Sequence, residues 1–453
     1  MPLPGPALVM AMLGASIVLG GGGTSNPQTE MLLQLLLVAF MLPLCALESS
    51  QRGLGAISPL AWLLGVLTLT LPFAQLIPLP PSVWQSLPGR EVEVQSVALV
   101  GAADRWMPLS LAPARTFTSL LSMIFPVMML TQVSRLSIRS RYWLCATIAF
   151  GGVLSLLLGM LQVSITGGAT WSLYVYFSEG FLCGFQANRN HEADFLNIAL
   201  LAIGSLLAPR LMDGRRHTLT WIAAAAAMVA FFIGILMTGS RTGIALSGIT
   251  LALLLAMFWP AIRKQIPSVR WIFGGGVALS VLTLILLQLN SVQLVLARFS
   301  LTKEGRWDLW VDASYVLKQV WPLGGGIGTI APLLQAAERL EILDDKLPNR
   351  VHNDWLEWTI EAGVPGLIVL ALGFLILATM AFRAFRHATQ QGADAALRSQ
   401  TIFACGALLI LALHSIVDYP LRTMSLGMIA ALAVGFLTRP AAVRQERPSR
   451  VTI

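Results

Sequence analysis

Apolar residues in this chain come in blocks of about 17–25, separated by polar breaks, and a block of that length spans a bilayer as an α-helix. The blocks predict spans at residues 5–22, 31–47, 55–77, 116–133, 143–164, 193–208, 218–238, 243–260, 271–290, 364–382, 399–417 and 421–438. Two polar interruptions are much longer than hairpins. The first, 78–115, opens on Pro78, Pro80 and Pro81, a run that stops a helix. The second, 291–362, has a periodicity of its own. Over 306–321, Arg306, Leu309, Trp310, Ala313, Leu317 and Val320 share one helical face, with Asp308 and Asp312 pointing away. Gly324, Gly325, Gly326 and Gly328 then end that helix. A second helix is predicted over about 352–362. Its carboxylates Asp354, Glu357 and Glu361 fall on one face, with His352 opposite. Acidic faces directed to water would turn Arg306 and His352 toward the bundle. An N-cap at Asn353 or Asp354 would instead put His352 before the helix. A shorter polar segment, 165–192, is rich in glycine and aromatics.

Composition agrees with the blocks. Hydrophobic residues make up 56% and charged residues 11%, against about 45–50% and about 25% in soluble domains. The expectation is an all-α integral membrane protein of about 12 transmembrane helices. Residues 1–453 form a single polytopic domain, with the long loop 291–362 between spans nine and ten. The first span lacks a basic leader region and a clear cleavage site, so no cleaved signal is expected. Alternate short loops and the C-terminal tail carry 17 of the 30 basic residues, from Arg52 to Arg450, always on one side. The positive-inside rule makes that side cytoplasmic and puts both termini there. The net charge of +8 then needs no nucleic acid as partner. Cys45, Cys145, Cys183 and Cys405 have no metal-type spacing, and three of them lie in spans, so no disulfide framework is expected.

Four polar clusters fall at or near the outer face. They are Asn188-Arg189-Asn190-His191, Ser240-Arg241-Thr242-Gly243, Arg306 with His352-Asn353-Asp354, and His414, Asp418, Tyr419 and Arg422 around the last outer hairpin. Each has a plainer reading. Arg189 and His191 would suit interface residues that reach for headgroups. Arg306 would suit a surface salt bridge, and His352 a packed loop histidine. His414 and Asp418, four apart on one face, would suit a structural hydrogen-bonded pair as well as a functional one. Arg241 would suit a helix-end anchor, but it joins two spans with almost no loop between them, and a charge so close to hydrocarbon usually has a partner or a pathway. Together, arginines and a histidine in a partly dry outward pocket suit a diphosphate. Guanidinium groups grip phosphate oxygens in a fork, and a histidine takes a proton at neutral pH. No Cys/His cluster suggests zinc, and no glycine-rich loop has the Walker spacing of a nucleotide hydrolase.

These stretches carry a resemblance to the O-antigen ligase and polymerase superfamily of bacterial envelope glycosyltransferases. The matching stretches are Phe185–His191, Ser240–Gly243, Gly305–Trp310, Pro322–Gly328, His352–Gly366 and His414–Arg422. The first five spans match only in hydropathy. The resemblance implies a GT-C-like fold in the bacterial inner membrane, with the active site on the periplasmic side. It implies transfer of a glycan from undecaprenyl diphosphate to lipid A-core, by a ligase, or to another lipid-linked repeat, by a polymerase. Lipopolysaccharide and exopolysaccharide synthesis are both within its range. By that resemblance His352, Arg306 and Arg241 are catalytic: the arginines hold the diphosphate, and the histidine activates the acceptor hydroxyl or stabilises the leaving group. Arg189, Asn190, His191, Asn353, His414 and Arg422 are the candidate substrate-binding residues. No cofactor and no metal are expected, and the partners are the lipid-linked donor, the lipid or glycan acceptor and membrane lipids. The alternative is a secondary transporter of a lipid-linked glycan or small anion, which would gather its polar residues in broken helices near mid-span.

Overall fold

Prolines and short polar side chains set where the helices begin. Pro59, Pro81 and Pro113 each stand in a first helical turn, where a missing N–H costs nothing. Ser137, Asn188, Asn353, Asp394 and Thr423 accept hydrogen bonds from N–H groups of the turns they precede. The computed structural model describes residues 4–22, 27–50, 57–165, 171–212, 218–265, 305–343 and 347–440. The span expected at 271–290 and the start of the long loop lie outside those residues.

In chain order the helices are α1 (Pro4–Leu19), α2 (Pro27–Ser50), α3 (Pro59–Gln75), α4 (Pro81–Trp84), α5 (Glu91–Leu99), α6 (Pro113–Ser134), α7 (Ile138–Ser164), α8 (Arg189–Leu207), α9 (Thr218–Met237) and α10 (Arg241–Gln265). They continue as α11 (Gly305–Val320), α12 (Ile330–Ala337), α13 (Asp354–Ala388), α14 (Ala395–His414) and α15 (Met424–Phe436). Among the described residues, eight helices are long and apolar enough to cross a membrane, and α1, α3 and α15 are shorter apolar helices. The chain is an all-α, multi-pass membrane protein. Each expected span inside the described residues coincides with one of these eleven helices, to within several residues at its ends.

Helix α8 is the hub of the bundle. Most of its side chains are buried, and it packs against α7, α9, α10 and α14. Helices approach closely where residues are small, as membrane packing requires. At Gly152 of α7 an added Cβ would lie 2.3 Å from the Ala199 Cβ of α8.

Residues 305–343 and 347–362 form one cap on this bundle with the segment 78–112. Strands β1 (Pro78–Leu79) and β2 (Met107–Pro108) pair antiparallel and bring the first segment back to α6. From there it docks on the glycine-rich turn after α11. The Leu111 N–H donates to the Gly325 carbonyl at 2.8 Å, and the Thr116 hydroxyl to the Ile327 carbonyl at 2.7 Å. Beneath, Ala313, Val316 and Val320 of α11 share a core with Ile330, Leu334, Val351 and Ile360.

Two expectations for this cap are overturned. Asp312 does not face water: Arg339 folds over it at 2.6 Å, while Asp308 stays half exposed and Trp307, Val311 and Tyr315 share the exposed surface of α11 with Ser314, Lys318 and Gln319. Likewise the acidic face of Asp354, Glu357 and Glu361 is buried, because Arg350 and Arg422 neutralise it from the loop and the last hairpin.

Helix α13 is broken at Gly363, where φ is 56° and ψ −150°. The break folds residues 354–362 back along the rest of the helix. The Trp355 and Phe374 rings lie 5.6 Å apart, whereas nineteen residues of straight helix would put about 28 Å between them. Only glycine suits this point, since a Cβ would lie 2.2 Å from the Pro322 carbonyl oxygen. Gly363→Ala is expected to cost more than about 1 kcal/mol. Thermal unfolding in detergent checks this, and an unchanged midpoint would mean that the fold-back is not required.

Candidate functional site

Asp418 lies in the turn between α14 and α15, and its side chain has no exposed surface. A buried carboxylate must be matched by donors or cations. The Tyr419 N–H donates to its Oδ1 at 2.9 Å. From the start of α8, the Asn190 amide donates to Oδ2 and the Asn188 amide to Oδ1 at 3.4 Å. His191 Nε2 lies 3.6 Å from Oδ1. From the long loop, His352 Nδ1 lies 3.3 Å from Oδ1, and the Arg306 guanidinium 3.6 Å from Oδ2. Burial opposes the Asp418 charge, but the hydrogen bonds and positive character of His191 and His352 outweigh it and hold the carboxyl well below its usual range.

The site has a front and a back. His191 and Asp418 are fully buried, while Arg306 and His352 keep 27% and 32% of their side-chain surface exposed. Tyr419 stands edge-on between the two imidazoles, its ring 4.9 Å from His191 and 4.8 Å from His352. His352 precedes the N-cap Asn353 and adopts φ 53°, a left-handed conformation rare outside glycine. Its neighbours hold it there. The Val351 carbonyl accepts from the Trp310 indole at 3.0 Å, and the Asp354 N–H donates to the Ser415 and Asp418 carbonyls. An ionised carboxylate has no proton to give, so His352 Nδ1–H is the donor. In the neutral imidazole that arrangement leaves Nε2 as the acceptor.

Behind the loop lies a second ionic cluster. Arg422 contacts Asp354 at 3.3 Å, Glu357 at 3.3 Å and Glu361 at 2.8 Å, and Arg350 reaches Glu357 at 2.7 Å. Burial works against the Arg422 charge, but Glu357, Glu361 and Asp354 raise its pKa above the usual guanidinium value. Glu361 also accepts from the Gly328 N–H at 2.8 Å, tying the glycine-rich turn to the same cluster.

The sequence candidates therefore divide. Arg306, His352, Asn190 and His191 meet on Asp418. Asn353 caps α13 by accepting from the Leu356 N–H at 3.0 Å. Arg422 is enclosed by carboxylates. His414 is buried and pairs with Asp194 of α8 at 2.6 Å, so the expected side-chain pair with Asp418 is replaced by a backbone bond. Arg189 stacks on the Phe181 ring, 4.1 Å from its centre. Arg241 opens α10, whose first turn is capped by Ser240 and packs on α8 through Gly243 and Ala193. Arg189 and Arg241 thus stand at the N-termini of neighbouring helices, the positive ends of their dipoles.

Sequence reasoning did not find the Asp418 hub, the Arg350–Glu357 pair, the Asp194–His414 pair or the contact of buried Glu192 with Ser155 at 2.8 Å. One signal was available for Asp418: it is a charge in a hairpin too short to carry it into water.

Residues 226–371 match a family model described as O-antigen ligase. The match covers about a third of the chain and supports its likeness to the O-antigen ligase and polymerase superfamily. The match runs from α9 into α13 and contains Arg241, Arg306 and His352, while Asp418 and the start of α8 lie outside it. No curated protein matches the chain.

Removing Arg422 would leave three buried carboxylates facing one another. Arg422→Met is expected to cost about 3–5 kcal/mol. Arg422→Lys should lie between it and the wild type, because a point charge cannot fork across several carboxylates. Unfolding midpoints of the purified variants check the order, and equal midpoints would deny the cluster a structural role.

Proposed function

We propose that this chain is a membrane glycan transferase that uses an undecaprenyl-diphosphate-linked donor at the periplasmic face of the bacterial inner membrane. The acceptor is lipid A-core or a growing polysaccharide, and the fold is read as one polytopic, GT-C-like unit. One observation carries the reading. Arg306 and His352, 46 residues apart in the chain, share a single buried carboxylate, and both keep part of their side-chain surface exposed.

In the proposed reaction, an acceptor hydroxyl approaches His352 Nε2. Its oxygen attacks the anomeric carbon of the donor sugar, and its proton passes to Nε2. The bond from that carbon to the diphosphate oxygen breaks, and the electron pair leaves with the diphosphate. Arg306 and Arg241 stabilise the charge that accumulates there. Arg189 and the N-termini of α8 and α10 add positive potential on the same side. Asp418 acts through His352, holding the tautomer that leaves Nε2 free, and is thus a positioning residue. No step calls for a metal or nucleotide.

The location of the polar groups supports an enzyme over a transporter. Asp194 lies in the second turn of α8, and His414 is the last residue of α14. Both stand at the Asp418 end of the bundle, not at mid-span.

Arg306→Ala and His352→Ala are expected to abolish polymerised or ligated glycan in cells while the protein still accumulates in the membrane. Normal glycan profiles would remove the proposed site. Asp418→Asn should lower turnover on the order of 10³–10⁴-fold, as the same exchange does in Ser-His-Asp triads. Purified wild type should consume undecaprenyl-diphosphate glycan without ATP or divalent metal, and a strict metal requirement would overturn the arginine mechanism. The glycan profile of a deletion strain separates the two acceptors. Single repeats still attached indicate a polymerase, and no attachment indicates a ligase.

A further inference from the structure

The opposite end of the bundle holds a cavity of about 340 Å³ between α3, α13, α14 and α15. That volume falls within the range of small-molecule sites, roughly 300–1,000 Å³. Arg383, His387 and Arg439 line it, and no described carboxylate does. Among the described residues, neither Arg383 nor Arg439 forms an ion pair. The remaining wall is largely apolar, with Leu60, Met380 and Phe436. Arg383 lies twenty residues beyond the Gly363 break, and Arg439 follows the far end of α15, which starts beside the Asp418 turn. The cavity is therefore separated from the candidate transfer site by the length of the bundle.

We infer that this cavity binds the phosphate of an anionic phospholipid from the leaflet at that end, with an acyl chain against the apolar wall. Two exposed guanidinium groups with no carboxylate partner among the described residues, at the ends of apolar helices, suit a shared counter-anion. Arginine suits phosphate oxygens through paired N–H donors. Basic pockets between transmembrane helices take acidic lipid headgroups in this way. The adjoining apolar wall favours a lipid over free phosphate, which would leave that surface wet. By the distribution of basic loops, this leaflet is the cytoplasmic one. The site needs nothing from the transfer reaction, so it stands or falls independently of the proposed function.

The test is native mass spectrometry of the purified full chain in detergent, offered equimolar phosphatidylglycerol and phosphatidylethanolamine. Phosphatidylglycerol should be retained preferentially. The double variant Arg383→Ala/Arg439→Ala should weaken its retention by about 30-fold, and Arg383→Lys/Arg439→Lys should keep most of it. Arg439→Ala alone, at an exposed position past the helix end, serves if the double variant does not accumulate, and should lose about 5-fold. Equal retention of the two lipids, or alanine variants that bind like wild type, would overturn the proposal. A second arm uses delipidated protein and inorganic phosphate. Phosphatidylglycerol should raise the unfolding midpoint and millimolar phosphate should not; equal protection by both would assign the cavity to a free phosphate and overturn the lipid.

Discussion

A carboxylate with no exposed surface has to be satisfied by its neighbours, and Asp418 draws its neighbours from three distant parts of the chain. Asn190 and His191 arrive on α8, His352 and Arg306 on the long loop, and the Tyr419 N–H from its own turn. Leaving such a charge unmatched is costly. The same residues would otherwise drift independently at a wet surface, so the burial of one acid group registers the loop against the bundle. The positive and proton-accepting groups collected there are those the proposed transfer would use.

The Arg422 cluster does for the backbone what Asp418 does for the side chains. Helix α13 folds back at Gly363, which places Asp354, Glu357 and Glu361 against the last hairpin. Arg422 then joins all three carboxylates. Buried ion pairs of this kind add little net stability over apolar packing, but they tolerate few alternative arrangements. Here the arrangement they select is the one that holds residues 350–354 in place, including the left-handed backbone of His352. Strain at that residue persists because fixed hydrogen bonds surround it on both sides.

Much of this architecture was legible in the sequence, and the boundary of legibility has a physical cause. Apolar block length located the spans, because a bilayer imposes one length on every helix that crosses it. Periodicity found α11 and the short helix before Gly363. Periodicity also implied that acidic faces look to water, and this failed at Asp312 and at Glu357 and Glu361. A helical phase reports which residues share a face, not what covers it. Arg339, Arg350 and Arg422 cover those faces from other segments, and no local pattern announces such partners. For the same reason Arg306 and His352 were nameable as one cluster, while Asp418, named with the last hairpin, was not readable as the carboxylate that joins them. His414 was a candidate through the last hairpin's resemblance to the family, and its side chain pairs with Asp194 of α8 rather than with Asp418.

The two ends of the bundle handle positive charge in opposite ways. At the Asp418 end, Arg306, Arg339, Arg350 and Arg422 all contact carboxylates. At the other end, Arg383, Arg386, Arg398 and Arg439 form no ion pair among the described residues. The positive-inside rule describes this difference as a count of residues, and the proposed lipid site would give it a mechanism. Arginines that face an anionic leaflet have counterions in the lipid and need none from the protein. Arginines that build a reaction site must be held in fixed positions, and a carboxylate partner fixes them. Arg306 combines both conditions: one edge is anchored on Asp418, and the remainder is open to an incoming anion. An arginine enclosed like Arg422 has no such remainder. Two side chains of the same chemistry therefore take different roles according to how much of each guanidinium the protein leaves uncovered.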